Sequence, residues 1–332
     1  MIPDEPLLFE PIYRSYLWGG QRLKSLLHKR VPDGGRWAES WEVVDHGPDQ
    51  SIVHVGRWKD WSLRQLIESF PEEILGEAAA SVDSRSPSFP LLLKYLDCNA
   101  VLSVQVHPND EYAKRMEQPD LGKTEAWYIV DAEPEATLYA GLREGVDRDS
   151  LAAAIQAGRT EECLHTLRPS RGDCVFIPAG TVHALGSGLI IAEIQQASDT
   201  TFRLFDWNRV DAEGKSRPLH VDQALEVIDF ASGPIDFQSP AAIDADHPSD
   251  ASRRLITCDK FTLDSHANGS YAFGGDDRFH ILTIPSGSAT YTHDGKTSDL
   301  PTGRTIFIPA ACEKVSLAVP ADAVLLHAWL PG

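Results

Sequence analysis

The stretch Gly172-Asp-Cys-Val-Phe-Ile-Pro178-Ala-Gly180-Thr-Val-His183 constrains the fold more than any other in the chain. It reads as a short apolar strand stopped by a Pro/Gly turn, with a histidine delivered just past the turn, in the pattern G-x5-P-x-G-x2-H. A second stretch supplies the facing wall. From Leu102 to Val106 the residues alternate as in a half-buried strand, so Gln105 and His107 project from one face and Val104 and Val106 from the other. Glu125 follows, immediately before a strand-like run from Ala126 to Val130. Taken singly, His107 is a histidine before a proline, Glu125 a strand-end acid and His183 a turn residue. Gln105 is the rarer observation, because a buried amide must find a hydrogen bond or a metal. Together, three strand ends deliver Gln105, His107, Glu125 and His183 with a coordination position left open. Such a donor set suits a borderline divalent ion such as zinc, with manganese, iron or cobalt also possible, and fits a catalytic site better than a closed structural one.

With 332 residues and 42% hydrophobic content, the chain has material for two ordinary domains. A net charge of −19 would repel a phosphate backbone, which argues against nucleic acid as a partner. Five scattered cysteines (Cys98, Cys163, Cys174, Cys258, Cys312) include no CxxC pair and read as reduced thiols. No apolar run approaches a membrane span, and the acidic N-terminus lacks the bases of a signal peptide, so the expectation is a cytoplasmic protein.

Along the chain, strands are expected at 7–12, 40–44 and 51–55, separated by turns that include Gly19-Gly20. Ser62 and Gln65 form a capping box ahead of a helix to Phe70. Ser81 to Pro90 reads as a loop, and a short helix follows Asn109. Strands at 126–130 and 136–139 precede helices at 150–156 and 161–167. Strands then recur at 174–177, 189–195 and 200–205, before a helix at 220–228. The segment 233–252, rich in Pro, Ser, Ala and Asp, marks a boundary between a metal-binding domain (1–232) and a C-terminal β domain (233–332). Strands in the latter are expected at 261–263, 280–285, 289–292, 305–308, 315–318 and 324–328. There Gly303-Arg-Thr-Ile-Phe-Ile-Pro309-Ala-Ala311-Cys-Glu-Lys314 repeats the Gly172–His183 pattern, with Lys314 standing where His183 stands.

These residues resemble cupins and, more narrowly, the type I phosphomannose isomerases of the short bacterial form. The likeness rests on Trp18-Gly19-Gly20, Glu39-Ser40-Trp41-Glu42, Pro90 to Lys94, Leu102 to Pro108, Gly122 to Trp127, Gly172 to His183, Glu193 to Arg203 and Leu219-His220. It implies a mainly β fold of tandem cupin (jelly-roll) barrels with added helices, the second barrel degenerate and without metal ligands. It also implies one zinc per chain on Gln105, His107, Glu125 and His183, with Lys123 and Arg203 in the pocket and Glu193 nearby. The implied reaction interconverts mannose 6-phosphate and fructose 6-phosphate through a metal-stabilised enediolate. Moving a carbonyl between C1 and C2 needs a base near a carbon-bound proton. Lys123, desolvated beside a cation, is the first choice and Glu193 the second. Arg203 offers a guanidinium fork for the phosphate or the developing oxyanion, and Lys94 adds positive charge for a sugar phosphate. Other readings are an iron or manganese cupin oxygenase and a non-catalytic sugar-binding regulator. A monomer or weak homo-oligomer is expected.

Overall fold

Strand ladders dominate because apolar and polar residues alternate along most of the chain, and few segments hold a helical period for more than two turns. The computed structural model describes residues 1–81, 88–210, 214–243 and 251–331. Its N-terminal half contributes β1 (Ile12–Gly20), β2 (Trp37–Val43), β3 (Leu91–Cys98), β4 (Val104–Val106), β5 (Glu125–Ala132), β6 (Leu138–Leu142), β7 (Leu164–Leu167), β8 (Cys174–Ile177), β9 (His183–Leu185), β10 (Leu189–Gln196) and β11 (Phe202–Phe205). These form two antiparallel sheets, ordered β8-β5-β10-β3-β2-β1 and β7-β6-β9-β4-β11. The sheets close on a core that includes Leu96, Trp127, Ile129 and Ile191 from the first and Leu138, Ala140 and Leu185 from the second.

The C-terminal half repeats this plan with β12 (Ser252–Thr257), β13 (Thr262–His266), β14 (Gly269–Phe273), β15 (His280–Ser286), β16 (Ser288–His293), β17 (Lys296–Pro301), β18 (Thr305–Ile308), β19 (Val315–Val319) and β20 (Val324–Trp329). Its sheets run β12-β13-β20-β15-β18, with the Ala241–Ala242 pair beside β12, and β14-β19-β16-β17. Leu282, Ile284, Ile306, Val315, Leu317 and Leu325 fill the space between them.

The two sandwiches stand back to back. Leu91, Leu93, Tyr95, Ala192 and Ile194 share one core cluster with Phe261, Phe279, Ile281 and Phe307. This is why β3 and β10 are buried at every position and read as nearly continuous apolar runs. Among the polar residues on them, Lys94 and Glu193 are opposite each other in the ladder and face the interior of the N-terminal sandwich.

Several expectations are met closely. The helix Leu63–Ser69 begins with the reciprocal Ser62/Gln65 capping box, and Asn109 caps the helix Asp110–Ala113. Others are corrected. The helix expected at 161–167 is a 3-10 turn (Thr160–Cys163) followed by β7, because pairing with β6 at the sheet edge overrides a local preference carried by so few residues. Gly19 and Gly20 end a strand and do not make a turn. Their role is close approach: a Cβ on Gly19 would lie 2.7 Å from the Ala38 nitrogen, and one on Gly20 would lie 2.6 Å from Asp97 Oδ2. The strands β12, β14 and β17 went unanticipated, since their polar, half-exposed faces give little apolar signal. Of the expected loop at 81–90, residues 82–87 lie outside the described residues, as do 244–250 of the expected boundary.

Candidate active site

Strand parity and register assemble the site. Gln105 in the middle of β4 is directly opposite His183 on one side and Arg203 on the other. Across the sandwich, Glu125 opens β5 opposite Gln195, Trp127 pairs with Glu193, and Glu193 pairs with Lys94. All point inward, because the alternate residues Val104, Val106, Ala184 and Phe202 on one sheet and Ala126, Tyr128 and Ala192 on the other face outward into separate cores. A cavity of about 350 Å3 opens here, in the size range of about 300–1,000 Å3 usual for small-molecule pockets. Lys94, Gln105, Lys123, Glu125, Glu193 and Arg203 line it. His107 and His183 are buried behind Glu125, so all the residues singled out from sequence meet in one place.

Both histidines are anchored through Nδ1. His107 Nδ1 donates to the Thr200 carbonyl at 2.8 Å, and His183 Nδ1 donates to the Thr181 carbonyl at 2.9 Å. Both Nε2 lone pairs therefore face Glu125, at 3.6 and 3.3 Å. One potential donor atom from each of His107, Glu125 and His183 lies within 4.8 Å of the others. The His183 Nε2 is buried with no hydrogen-bond partner. Burial, reinforced by the Lys123 ammonium, holds the His183 imidazole down to about 3 and keeps His107 well below its ordinary value. Both rings are thus neutral, as metal coordination requires. Backbone-anchored imidazoles, a buried carboxylate and an orphaned ring nitrogen together fit a divalent ion of the zinc class.

The remaining charges are tightly interlocked. Lys123 Nζ donates to His107 Nε2 at 2.9 Å, pairs with Glu125, and lies 3.5 Å from Glu193 Oε1. Lys94 Nζ is 3.4 Å from Glu193 and 3.8 Å from Glu39. Burial and the neighbouring Glu125 carboxylate raise Glu193 to about 7. Burial alone would lower Lys94, but Glu193 and Glu39 keep it raised. Arg203 is fixed by Ser103 Oγ, which accepts from Nε at 3.2 Å, and by the Pro218 carbonyl, which accepts from Nη1 at 3.0 Å.

A family model of the type I phosphomannose isomerase catalytic domain matches residues 7–139. The mannose-6-phosphate isomerase of Bacillus subtilis is 40% identical over 230 residues, covering 69% of this chain and 70% of its own. The chain belongs to the type I phosphomannose isomerase family. The enzyme of Streptococcus mutans is 37% identical over 224 residues, or 68% of each chain. A crystal structure of a Bacillus subtilis mannose 6-phosphate isomerase superposes with a TM-score of 0.85 at 27% identity, over 97% of this chain and 99% of that one. Together with the sheet topology, that likeness establishes the mainly β cupin fold of this isomerase family.

Within this family member, sequence reasoning missed part of the cavity wall. Arg217 reaches the pocket beside Arg203 and is held by Asp206 at 2.5–2.7 Å. Asp199, Ser103 and Tyr16 line it too. Ser103 and Asp199 lie inside stretches that carry the family likeness but had no role assigned there, and the pairing of β4 with β11 brings Arg203 beside Ser103. The turn glycine explains the histidine's placement. Gly180 has φ +88°, a conformation costly for any residue with a Cβ. In the repeat, Ala311 takes its place with φ outside that region, and Lys314 ends exposed where His183 is buried.

Proposed function

We propose that the chain interconverts mannose 6-phosphate and fructose 6-phosphate with one zinc ion held by Gln105, His107, Glu125 and His183. The observation that carries this reading is one cavity lined by Glu125, with His107 and His183 buried behind it, whose walls hold Lys94, Lys123, Arg203 and Arg217. When bound, the ion supplies a Lewis acid for the charge that develops on the sugar's two neighbouring oxygens. The protein's own residues do the rest. Arg203, pinned by Ser103 and Pro218, and Arg217, pinned by Asp206, present rigid guanidinium forks to the dianionic phosphate. Lys123 and Glu193, 3.5 Å apart, form the proton-carrying pair: Lys123 first passes a proton to the Glu193 carboxylate and then, as a neutral amine, takes the carbon-bound proton. Lys94 holds Glu193 and Glu39 in place and adds positive charge for the substrate.

The same reading takes residues 1–232 as the catalytic domain and 233–332 as a degenerate second cupin domain. It places the protein in the cytoplasm as a monomer or weak homo-oligomer, free of nucleic acid and membrane partners. The five cysteines are free thiols, four of them buried, which fits a reducing compartment. Among the described residues, no helix is long and apolar enough to cross a membrane. The test is a coupled assay of mannose 6-phosphate turnover after chelation and reloading with zinc. Turnover restored by the metal is expected, and none with zinc stoichiometrically bound would overturn the proposal.

A further inference from the structure

The C-terminal sandwich repeats the sheet order of its N-terminal counterpart, and the register lets positions be matched one by one. Ile177 at the end of β8 pairs with Glu125, and Ile308 at the end of β18 pairs with His280. Trp127 pairs with Glu193, and Leu282 with His327. Glu193 pairs with Lys94, and His327 with Asp264. In the second sandwich, therefore, His280, His327 and Asp264 occupy the places of Glu125, Glu193 and Lys94. His266, two residues along from Asp264, occupies that of Leu96. At the motif position Lys314 is exposed, while in the interior Asp264, His266 and His327 each bring a potential ligand atom within 4.8 Å of the others.

We infer that Asp264, His266 and His327 form a second divalent-cation site, inside the C-terminal sandwich at the place topologically equivalent to the active site. The three side chains are 3%, 7% and 6% exposed. His266 Nδ1 bonds Ser252 Oγ at 2.9 Å, and its Nε2 is buried with no hydrogen-bond partner, the same condition as His183 Nε2. A buried ring nitrogen left without a partner is destabilising, and a cation would offset that. His327 Nε2 meets His280 Nδ1 at 2.9 Å, and His280 Nε2 meets Asp276 at 3.0 Å, a relay that orients the His327 ring from behind. Burial lowers His266 to about 4 and His327 well below its ordinary value, so both imidazoles are neutral. Asp264 is paired with Arg254, whose Nη2 lies 3.3 Å from Oδ2. Each carboxylate oxygen keeps a further lone pair, and ligating carboxylates are commonly hydrogen-bonded in this way. Two imidazoles and one carboxylate select the zinc class over magnesium or calcium.

The test titrates the chelator-treated full chain with zinc chloride by calorimetry and with cobalt chloride by visible absorption. About two zinc ions per chain are expected, falling to about one in His266→Gln and in His327→Gln, with isomerase turnover at saturating zinc unchanged within about two-fold. In His183→Ala the C-terminal site alone should give the cobalt band of a tetrahedral nitrogen/oxygen site. A wild-type chain binding one zinc that His266→Gln retains and His183→Ala loses would overturn the inference. One zinc lost in His266→Gln but kept in His183→Ala would uphold it and refute the N-terminal metal assignment instead. Circular dichroism on each variant separates loss of the site from loss of the fold, and the His183→Ala cobalt band needs no C-terminal substitution.

Discussion

The two sandwiches share a sheet order and a strand register, and they differ in the side chains that stand at the matching interior places. In the N-terminal one, Lys94, Glu125 and Glu193 line a cavity, Gln105 and Arg203 reach it from the facing sheet, and Gly180 turns the chain so that His183 is delivered behind Glu125. In the C-terminal one, Asp264, His280 and His327 stand at the matching places, with the Phe273 ring 4.6 Å from the His327 ring and Trp329 stacked on the His327 ring at 4.1 Å. The fold thus sets where side chains point, and a few substitutions set whether that space holds a substrate. The sharpest break of this comparison is His183→Ala. Removing a ligand forfeits several kcal/mol of charge stabilisation, so kcat should fall on the order of 1,000-fold or more, with zinc content falling in parallel. Retained activity with bound zinc would remove His183 from the machinery.

Matched ion pairs give the next contrast. Lys94 is buried between Glu39 and Glu193, so Lys94→Met takes a cation from two buried carboxylates, leaving Glu193 with Lys123 and Glu39 with the Trp41 indole, and should cost about 3 kcal/mol in urea unfolding of the chelator-treated chain. Arg254→Met strands only Asp264, and the Arg254 side chain is 35% exposed, so about 2 kcal/mol is expected. Equal losses would mean that Glu193 is already protonated and uncharged in the folded protein.

Much of this was legible in the chain, for reasons that differ from place to place. Leu102 to Val106 alternates strictly, so the inward aim of Gln105 followed directly, and the reciprocal chemistry of Ser62 and Gln65 fixed a helix start. Arg217 was not legible, because its approach to the cavity depends on Asp206 and on a return of the chain that no local pattern records. Asp264, His266 and His327 were hidden for a related reason. Two are neighbours on β13 and the third lies on β20, and only the direct pairing of Asp264 with His327 joins them. The 3-10 turn and strand at 160–167 defeated the helical reading because a sheet edge, and not a local period, decides those residues.

Asp120 links acid stability to the N-terminal site alone. Burial works to raise it, but hydrogen bonds from His46, Thr200, Ser198 and the Leu121 N–H outweigh that and hold it at about 2. A folded pKa below the unfolded value near 3.9 contributes stability that is present above about pH 4 and is lost as pH falls through about 2. Asp120→Asn should therefore lower stability by about 1 kcal/mol at pH 7 and flatten the acid limb of the unfolding profile between pH 4 and 2. Thr200 also accepts from His107, so the same variant should weaken zinc binding about tenfold by loosening that ring. An unchanged acid limb would show that the Asp120 network does not persist in solution.

The smallest effect belongs to the position where the repeat departs from its pattern. Lys314 is exposed, and Ala311 lacks the left-handed turn that Gly180 provides, so Lys314→His restores the motif's letter without restoring its geometry. Stability should stay within about 0.5 kcal/mol, as for most exposed substitutions, and zinc stoichiometry should not rise. A gain of one zinc would show that the second turn can be drawn inward. The difference between the two sandwiches would then lie in a single side chain and not in the backbone that carries it.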